Sequence, residues 1–170
     1  EPEHMNFYKT TENLIQHFIK FCEIIISENG KILINNDNEI LRSIASELPQ
    51  KHIITYGIKH DADFKASHIK YTKKGIAYSL LYKGVTIGAI QTHLFGTHNV
   101  LNSCAVGALS QEMGISLSHF QQGCASFQGV KRRMQLIGDI DGALIYDDYG
   151  HHPTEIKTTL EGLKKSLKRP

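Results

Sequence analysis

Apolar residues recur with a helical period at two places near the start of the chain. In residues 11–22 they occupy positions 14, 15, 18, 19 and 22, which lie on one face of a helix. In residues 37–48 the apolar residues again share one face, and Asp37 is placed to cap that second helix. A short apolar run follows each helix. Helices that alternate with short buried strands predict a parallel α/β sheet.

Between residues 64 and 93 the period of the apolar residues falls to nearly two. The runs DFKASHIKYT, IAYSLLY and VTIGAIQTHL are joined by KKG and KG. This pattern predicts a small meander of strands that is antiparallel at least in part. An apolar stripe from Val100 to Leu109 then predicts a further helix, which Gly114 is suited to end.

The C-terminal part of the chain predicts two strands followed by a helix. The segment RMQLIGDIDGALIYDD is typical of two strands around a glycine-containing turn. Pro153 fits the first position of the helix, because its missing N–H would have no helical partner there. Apolar residues at positions 156, 160, 163 and 167 form one stripe along that helix.

Composition excludes several classes of function. The chain has 170 residues and a net charge of +2, which gives no indication of a nucleic-acid partner. No apolar stretch reaches the roughly 18 residues that a membrane helix needs, so no membrane partner is expected. Cys22, Cys104 and Cys124 form no close pair. Dispersed cysteines favour a reducing compartment, here the cytoplasm, and predict that Cys104 and Cys124 act as small buried apolar residues.

The segment DDYGHHPTE, residues 147–155, lies between a predicted strand and a predicted helix. Backbone N–H groups at a helix start favour an anion. Asp147 and Asp148 should lie on opposite faces of the strand, so only one of them can enter a given cleft. By the same geometry His151 and His152 are not expected to share one metal ion. The alternative interpretation is that His152 or a neighbour only caps the helix, with the aspartates at a solvent-exposed strand end.

Three further segments carry candidate binding groups. In GTHNVLN, Asn99 and Asn102 share a helix face and could bind the edge of a nucleobase. The alternative is that Asn99 caps the helix and Asn102 is simply exposed on the surface. In GVKRRMQ, the arginine fork suits a phosphate, although a solvated loop is the alternative. In EPEHM, Glu1 and Glu3 could ligate a hard cation such as Mg²⁺. The sequence contains no G-x-x-x-x-G-K-[ST] phosphate loop.

The segments EPEHMNFY, GTHNVLN, FQGVKRRMQ and DDYGHHPTEI, taken in this order, resemble motifs of the Mur ligases of bacterial cell-wall synthesis. The resemblance spans the whole chain and implies an α/β fold. Residues 1–130 would be the second half of the ATP-binding central domain, in which an α/β sheet accompanies a small antiparallel meander. Residues 131–170 would be the first β-α unit of a Rossmann-like C-terminal domain.

The resemblance also implies roles for individual residues. Glu1 matches the glutamate that ligates Mg²⁺. Five residues match the positions that hold the nucleotide, namely His98, Asn99, Asn102, Arg133 and Asp148. Arg132 is the alternative to Arg133. Tyr149 and His151 match positions that face the substrates. Arg133 and His151 are the implied catalytic residues.

The implied reaction is the ATP-dependent joining of L-alanine to UDP-N-acetylmuramate through an acyl phosphate. Tyr149-Gly150 favours the alanine-adding branch of the family over its muropeptide-recycling branch, which usually has Phe-Ala at this point. A non-catalytic adenine-nucleotide-binding remnant of such a ligase is a second interpretation. A homodimer formed through an uncovered sheet edge is a further hypothesis.

Overall fold

The computed structural model describes residues 2–72 and 74–167, with side chains to residue 165. The described helices are α1 (Met5–Tyr8), α2 (Thr11–Ser27), α3 (Glu39–Glu47), α4 (Thr97–Glu112), α5 (Leu117–Ser126) and α6 (Pro153–Leu167). The described strands are β1 (Ile32–Asn35), β2 (Ile53–Gly57), β3 (Phe64–Thr72), β4 (Gly75–Tyr82), β5 (Val85–Thr92), β6 (Gln135–Ile140) and β7 (Ala143–Asp147). None of the described helices combines the length and the apolar character that crossing a bilayer requires.

Among the described residues, strands β1 to β5 form one mixed sheet whose spatial order is the order of the chain. Strands β1, β2 and β3 run parallel, whereas β3, β4 and β5 pair antiparallel. The predicted parallel strands and the predicted meander are therefore joined, because β3 belongs to both. Strands β6 and β7 form a separate antiparallel hairpin that leads to α6. The mixed α/β class predicted from the sequence is confirmed.

Helix α4 is fixed against the sheet by one apolar face. Val100, Cys104 and Ala108 follow each other at four-residue intervals, and each is fully buried. They pack with Phe64 of β3 and Leu80 of β4 in the main apolar cluster. Because one face of α4 is held in this way, residues on its neighbouring face project from the sheet in a fixed direction.

The connection between β1 and α3 differs from the prediction in its capping residue. Asn38, not Asp37, caps α3, and its Oδ1 accepts a hydrogen bond from the backbone N–H of Leu41 at 3.0 Å. The carboxylate of Asp37 instead accepts backbone N–H bonds from residues 58, 59 and 60 at 2.8–2.9 Å. Burial alone would raise the pKa of Asp37, but these three bonds stabilise the charged form and lower the pKa overall. Asp37 thus ties the end of β2 to the start of α3.

The cysteines are free thiols in apolar surroundings, as the sequence predicts. Cys104 is fully buried, and its Sγ lies 3.6 Å from the carbonyl oxygen of Phe64. Burial raises the pKa of the Cys104 thiol to about 12 and that of the half-buried Cys124 thiol to about 11. Both side chains therefore stay protonated at neutral pH and act as small packing groups.

Candidate functional site

A cavity of about 780 Å³ lies between α4, α5, the segment before β6 and the start of α6. This volume is in the range of pockets that hold small-molecule ligands. Much of the wall is apolar and includes Leu94, Val106, Phe120, Phe127, Val130 and Met134. The polar groups on the wall come from two directions, with α4 on one side and residues 133–159 on the other.

The α4 side of the cavity carries His98, Asn99 and Asn102. Helix α4 begins after Gly96, whose φ of +88° is a glycine conformation, and no side chain caps it. The Asn99 amide donates to the carbonyl oxygen of Phe95 at 2.7 Å, and the Asn102 amide reaches Asn99 Oδ1 at 3.5 Å. The two amides share a face, as predicted. The alternative is wrong about Asn99, which lies inside the first turn and does not cap the helix, but Asn102 is exposed, as that alternative has it.

His98 contributes a buried ring with an unusual nitrogen. Its Nε2 lies 3.1 Å from the Asn99 amide nitrogen, which donates to it, so the ring proton belongs on Nδ1. Nδ1 is buried and has no partner among the described residues. Burial lowers the pKa of His98, the nearby Asp148 partly offsets this, and Arg133 lowers it further. Burial thus disfavours the charged form of the ring, and its Nδ1 is enclosed beside the backbone of Gly96.

The two adjacent arginines occupy different environments. Arg133 lines the cavity, and its Nη1 lies 3.6 Å from Glu155 Oε1. The Arg132 guanidinium instead stacks over the Tyr149 ring at 4.6 Å, and its Nε lies 3.8 Å from Asp147 Oδ2. Arg132 has a φ of +61°, so the backbone turns sharply between the two side chains. Of the two predicted candidates, only Arg133 faces the cavity.

The two adjacent aspartates are separated in the same way. Asp148 lines the cavity, whereas Asp147 pairs with Arg132 outside it. The prediction that only one of the two can enter the cleft is confirmed. Asp148 Oδ2 accepts the N–H of Met134 at 2.8 Å, and Oδ1 accepts the N–H of Gly150 at 2.7 Å. Both oxygens are thus held by the backbone, and the carboxylate has a fixed orientation.

The predicted substrate residues Tyr149 and His151 lie outside the cavity. The Tyr149 side chain is about half exposed and contacts the His151 ring edge-on at 5.3 Å. The rings of His151 and His152 lie 4.6 Å apart, and both are close to the carboxylate of Glu3. The expectation that strand geometry separates the two histidines is wrong, because β7 ends at Asp147 and the chain curves beyond it.

Glu1, the predicted metal ligand, lies outside the described residues. Sequence reasoning missed several polar groups on the cavity wall: Ser103, Ser110, Thr154, Glu155, Thr158 and Thr159. Glu155 also accepts the backbone N–H groups of His151 and His152 at 3.1 and 3.4 Å. The N–H of His151 is the largest cause of the lowered pKa of Glu155. Glu155 is the third residue of α6, which is the capping-box position. This position could have been recognised from the sequence.

Helix α6 packs against the start of α4 through a close contact between two glycines. A Cβ added to Gly162 would lie 2.8 Å from Gly96 Cα and 3.0 Å from Gly96 N, so a side chain does not fit there. Gly162→Ala should therefore push α6 away from the start of α4 and destabilise the protein by roughly 1–3 kcal/mol, as overpacking does. Urea unfolding monitored by circular dichroism measures this change.

Gly123→Ala is the matched control for Gly162→Ala. Gly123 also lies within a helix, but an added Cβ would meet nothing within 4 Å. The better helix propensity of alanine should stabilise this variant by about 0.5–1 kcal/mol. Equal changes in the two variants would show that the contact between Gly96 and Gly162 does not hold α6 in place.

Comparison with known proteins relates nearly the whole chain to the Mur ligases. Residues 1–110 match the Mur ligase middle domain, and residues 132–170 match the family described as Mur ligase, glutamate ligase domain. The UDP-N-acetylmuramate–L-alanine ligase of Hydrogenobaculum sp. (strain Y04AAS1) is 38% identical over 168 residues, 99% of this chain and 37% of that protein. That of Endomicrobium trichonymphae is 36% identical over 164 residues, 96% of this chain and 36% of that protein. The chain thus spans little more than a third of these relatives.

Solved structures share the fold. The UDP-N-acetylmuramate-alanine ligase of Thermotoga maritima superposes with a TM-score of 0.81 at 22% identity, over 99% of this chain and 37% of that one. A murein peptide ligase of Psychrobacter arcticus superposes with a TM-score of 0.58 at 30% identity, over 81% of this chain and 29% of that one. The match of the middle domain to residues 1–110, more than half of the sequence, shows that this chain belongs to the Mur ligase family.

Proposed function

We propose that this chain holds the adenine nucleotide in a ligase that joins L-alanine to UDP-N-acetylmuramate. The relatives that match nearly the whole chain carry that activity in their names. The observation that carries the proposal is the cavity, which brings His98, Asn99 and Asn102 of α4 opposite Arg133 and Asp148. Three of these residues are neighbours in one motif, Arg133 and Asp148 come from two later motifs, and each was predicted from its motif rather than from the fold.

The size of the cavity and the chemistry of its wall support an adenine nucleotide as its ligand. The Asn102 amide can offer a donor and an acceptor to the edge of the base, and Asn99 Oδ1 a further acceptor, since the Asn99 N–H groups already bind Phe95 and His98. Across the cavity, the Arg133 guanidinium would bind phosphate oxygens with its planar fork. Asp148 would accept from the nucleotide while its own orientation stays fixed by two backbone bonds.

The proposed reaction has two steps, which need positioning and charge stabilisation more than covalent chemistry from the protein. An oxygen of the muramate carboxylate would attack the γ-phosphorus of ATP, forming an acyl phosphate and releasing ADP. The amine of L-alanine would then attack the acyl carbon, form the amide and release phosphate. Mg²⁺, with Glu1 as its proposed ligand, would neutralise phosphate charge. Arg133 would stabilise the charge that develops on the transferred group, and Tyr149 and His151 would face the substrates.

A domain boundary between residues 130 and 131 is part of the same proposal. The segment between α5 and β6 contains no described helix or strand. Three of its residues have positive φ, namely Gly129, Arg132 and Met134, so the chain changes direction there. A hinge at this point would let residues 131–170 move as a unit and bring Arg133 and Asp148 onto the nucleotide. The other interpretations, a muropeptide-recycling ligase and a non-catalytic nucleotide-binding remnant, would use the same cavity.

Calorimetric titration of the chain with ATP and ADP tests the proposal. Arg133→Ala should weaken binding about tenfold or more, because a hydrogen bond to a charged group contributes about 1.5–3 kcal/mol. Arg132→Ala is the matched control, since this neighbouring arginine lies outside the cavity, and it should leave the affinity within about twofold. Absence of nucleotide binding to the unchanged chain, or an equal loss in both variants, would contradict the assignment.

A further inference from the structure

We propose that Glu3, His151 and His152 form a binding site for a transition-metal ion such as Zn²⁺. The cluster lies where the start of the chain meets the N-terminus of α6, outside the nucleotide cavity. It goes beyond the proposed function, because the cluster lies outside the nucleotide cavity and two of its three ligands are imidazoles, which Mg²⁺ does not prefer. One carboxylate and two imidazoles form a ligand set that binds Zn²⁺ in other proteins and leaves a fourth position open.

The distances between the ligand atoms fit a single ion. One atom from each of the three side chains lies within 4.8 Å of the other two. Glu3 Oε1 contacts His152 Nε2 directly and lies 3.8 Å from His151 Nε2. Ligand atoms about 2.1 Å from a tetrahedral ion stand roughly 3.4 Å from one another. Small rotations of these side chains would therefore bring all three atoms to bonding distance.

The surroundings of His151 prepare its ring for metal binding. Its Nδ1 lies 3.2 Å from the carbonyl oxygen of Tyr149 and 3.6 Å from Glu155 Oε2. A donor bond from Nδ1 to that carbonyl fixes the proton on Nδ1 and directs the lone pair of Nε2 towards Glu3. Metal-binding histidines commonly have such a second partner, which sets the tautomer and the orientation of the ring. Glu155 is itself held by two backbone N–H groups.

An ion can reach the cluster from solvent, and the ligand chemistry favours a transition metal over Mg²⁺. The side chains of Glu3 and His151 are about half exposed and that of His152 is partly exposed, so an ion and a water molecule can reach the cluster. Imidazole nitrogen suits Zn²⁺ and similar ions, whereas Mg²⁺ prefers oxygen ligands. Because Glu3 and His152 stand 149 residues apart in the sequence, a bound ion would join the two ends of the described chain and stabilise the folded form.

Titration of the chelator-treated chain with Zn²⁺ by calorimetry, and with Co²⁺ by visible absorption, tests the site. The unchanged chain should bind one ion with a Kd in the micromolar range or below, and its Tm should rise with Zn²⁺. Glu3→Gln and His152→Ala should each weaken binding by about 100-fold or more and abolish the rise in Tm, since even outer partners of a metal site contribute 10–100-fold. An excess of Mg²⁺ should not displace the ion.

His60→Ala is the control, because this exposed histidine lies in the loop between β2 and β3, and it should bind Zn²⁺ as the unchanged chain does. Glu3→Gln keeps the shape of the side chain, and circular dichroism verifies that each variant folds. Failure of the unchanged chain to bind Zn²⁺, or unchanged binding in Glu3→Gln and His152→Ala, would overturn the site. Nucleotide titrations of the metal-stripped chain in buffer that contains Mg²⁺ but no transition metal report on the cavity alone, so the proposed function succeeds or fails separately.

Discussion

Gly75→Ala is expected to lower the free energy of unfolding by about 3 kcal/mol or more, through overpacking and through a left-handed backbone angle. Gly75 begins β4 with a φ of +125°, which L-residues rarely adopt. An added Cβ would lie 1.9 Å from the carbonyl oxygen of Thr92 and 2.7 Å from His93 Cα. Both neighbours are backbone atoms of the adjacent chain segment, so strands β4 and β5 would have to separate at this end.

Gly84→Ala is the control that measures how much of the loss in unfolding free energy comes from the backbone conformation alone. Gly84 also has a positive φ, +80°, but an added Cβ there would meet nothing within 4 Å. This variant should lose only about 1–2 kcal/mol, the cost of a left-handed conformation for alanine. Urea unfolding of both variants measures the difference. Equal losses would mean that the close approach of Thr92 to Gly75 does not constrain the sheet.

Asp148→Ala is expected to reduce both stability and nucleotide affinity. The substitution leaves the N–H groups of Met134 and Gly150 without their acceptor. One unpaired and partly buried group costs about 1–3 kcal/mol, so a loss of about 2 kcal/mol or more is expected for the pair. The corner that positions Arg133 would loosen, and the proposed acceptor for the nucleotide would be lost. The Kd for ADP should therefore rise about tenfold or more.

Asp147→Ala is the matched control, because this neighbouring carboxylate faces Arg132 rather than the cavity. An exposed ion pair contributes little, so its removal should change the free energy of unfolding by no more than about 0.5–1 kcal/mol. Its affinity for ADP should match that of the unchanged chain. If Asp147→Ala impaired binding as much as Asp148→Ala, the charge of the segment rather than the position of Asp148 would be responsible.

Much of the fold follows from local sequence signals. The helical spacing in residues 11–22 and the period of two between residues 64 and 93 correspond to α2 and to the antiparallel strands. The shared face of Asn99 and Asn102 follows from their three-residue spacing in α4. The preference for Arg133 over Arg132 came from the family resemblance and not from a local signal, because the directions of the two side chains depend on the positive φ of Arg132.

The remaining differences come from contacts between distant residues. Asp37 precedes α3 and has the chemistry of a cap, but backbone N–H groups beyond β2 offer it three bonds. A strand that is parallel to one neighbour and antiparallel to the other has no distinct periodicity, so the role of β3 was not predictable. The approach of Glu3 to His152 depends on how α6 packs near the first residues, which local patterns do not determine.

The central claim is that an adenine nucleotide binds between α4 and the corner at Asp148. A crystal structure of the chain with a non-hydrolysable ATP analogue tests it most directly. The base should lie within hydrogen-bond distance of the amides of Asn99 or Asn102, with the phosphates directed towards Arg133. A nucleotide bound elsewhere on the molecule, with the cavity between α4 and Asp148 left vacant, would contradict the claim.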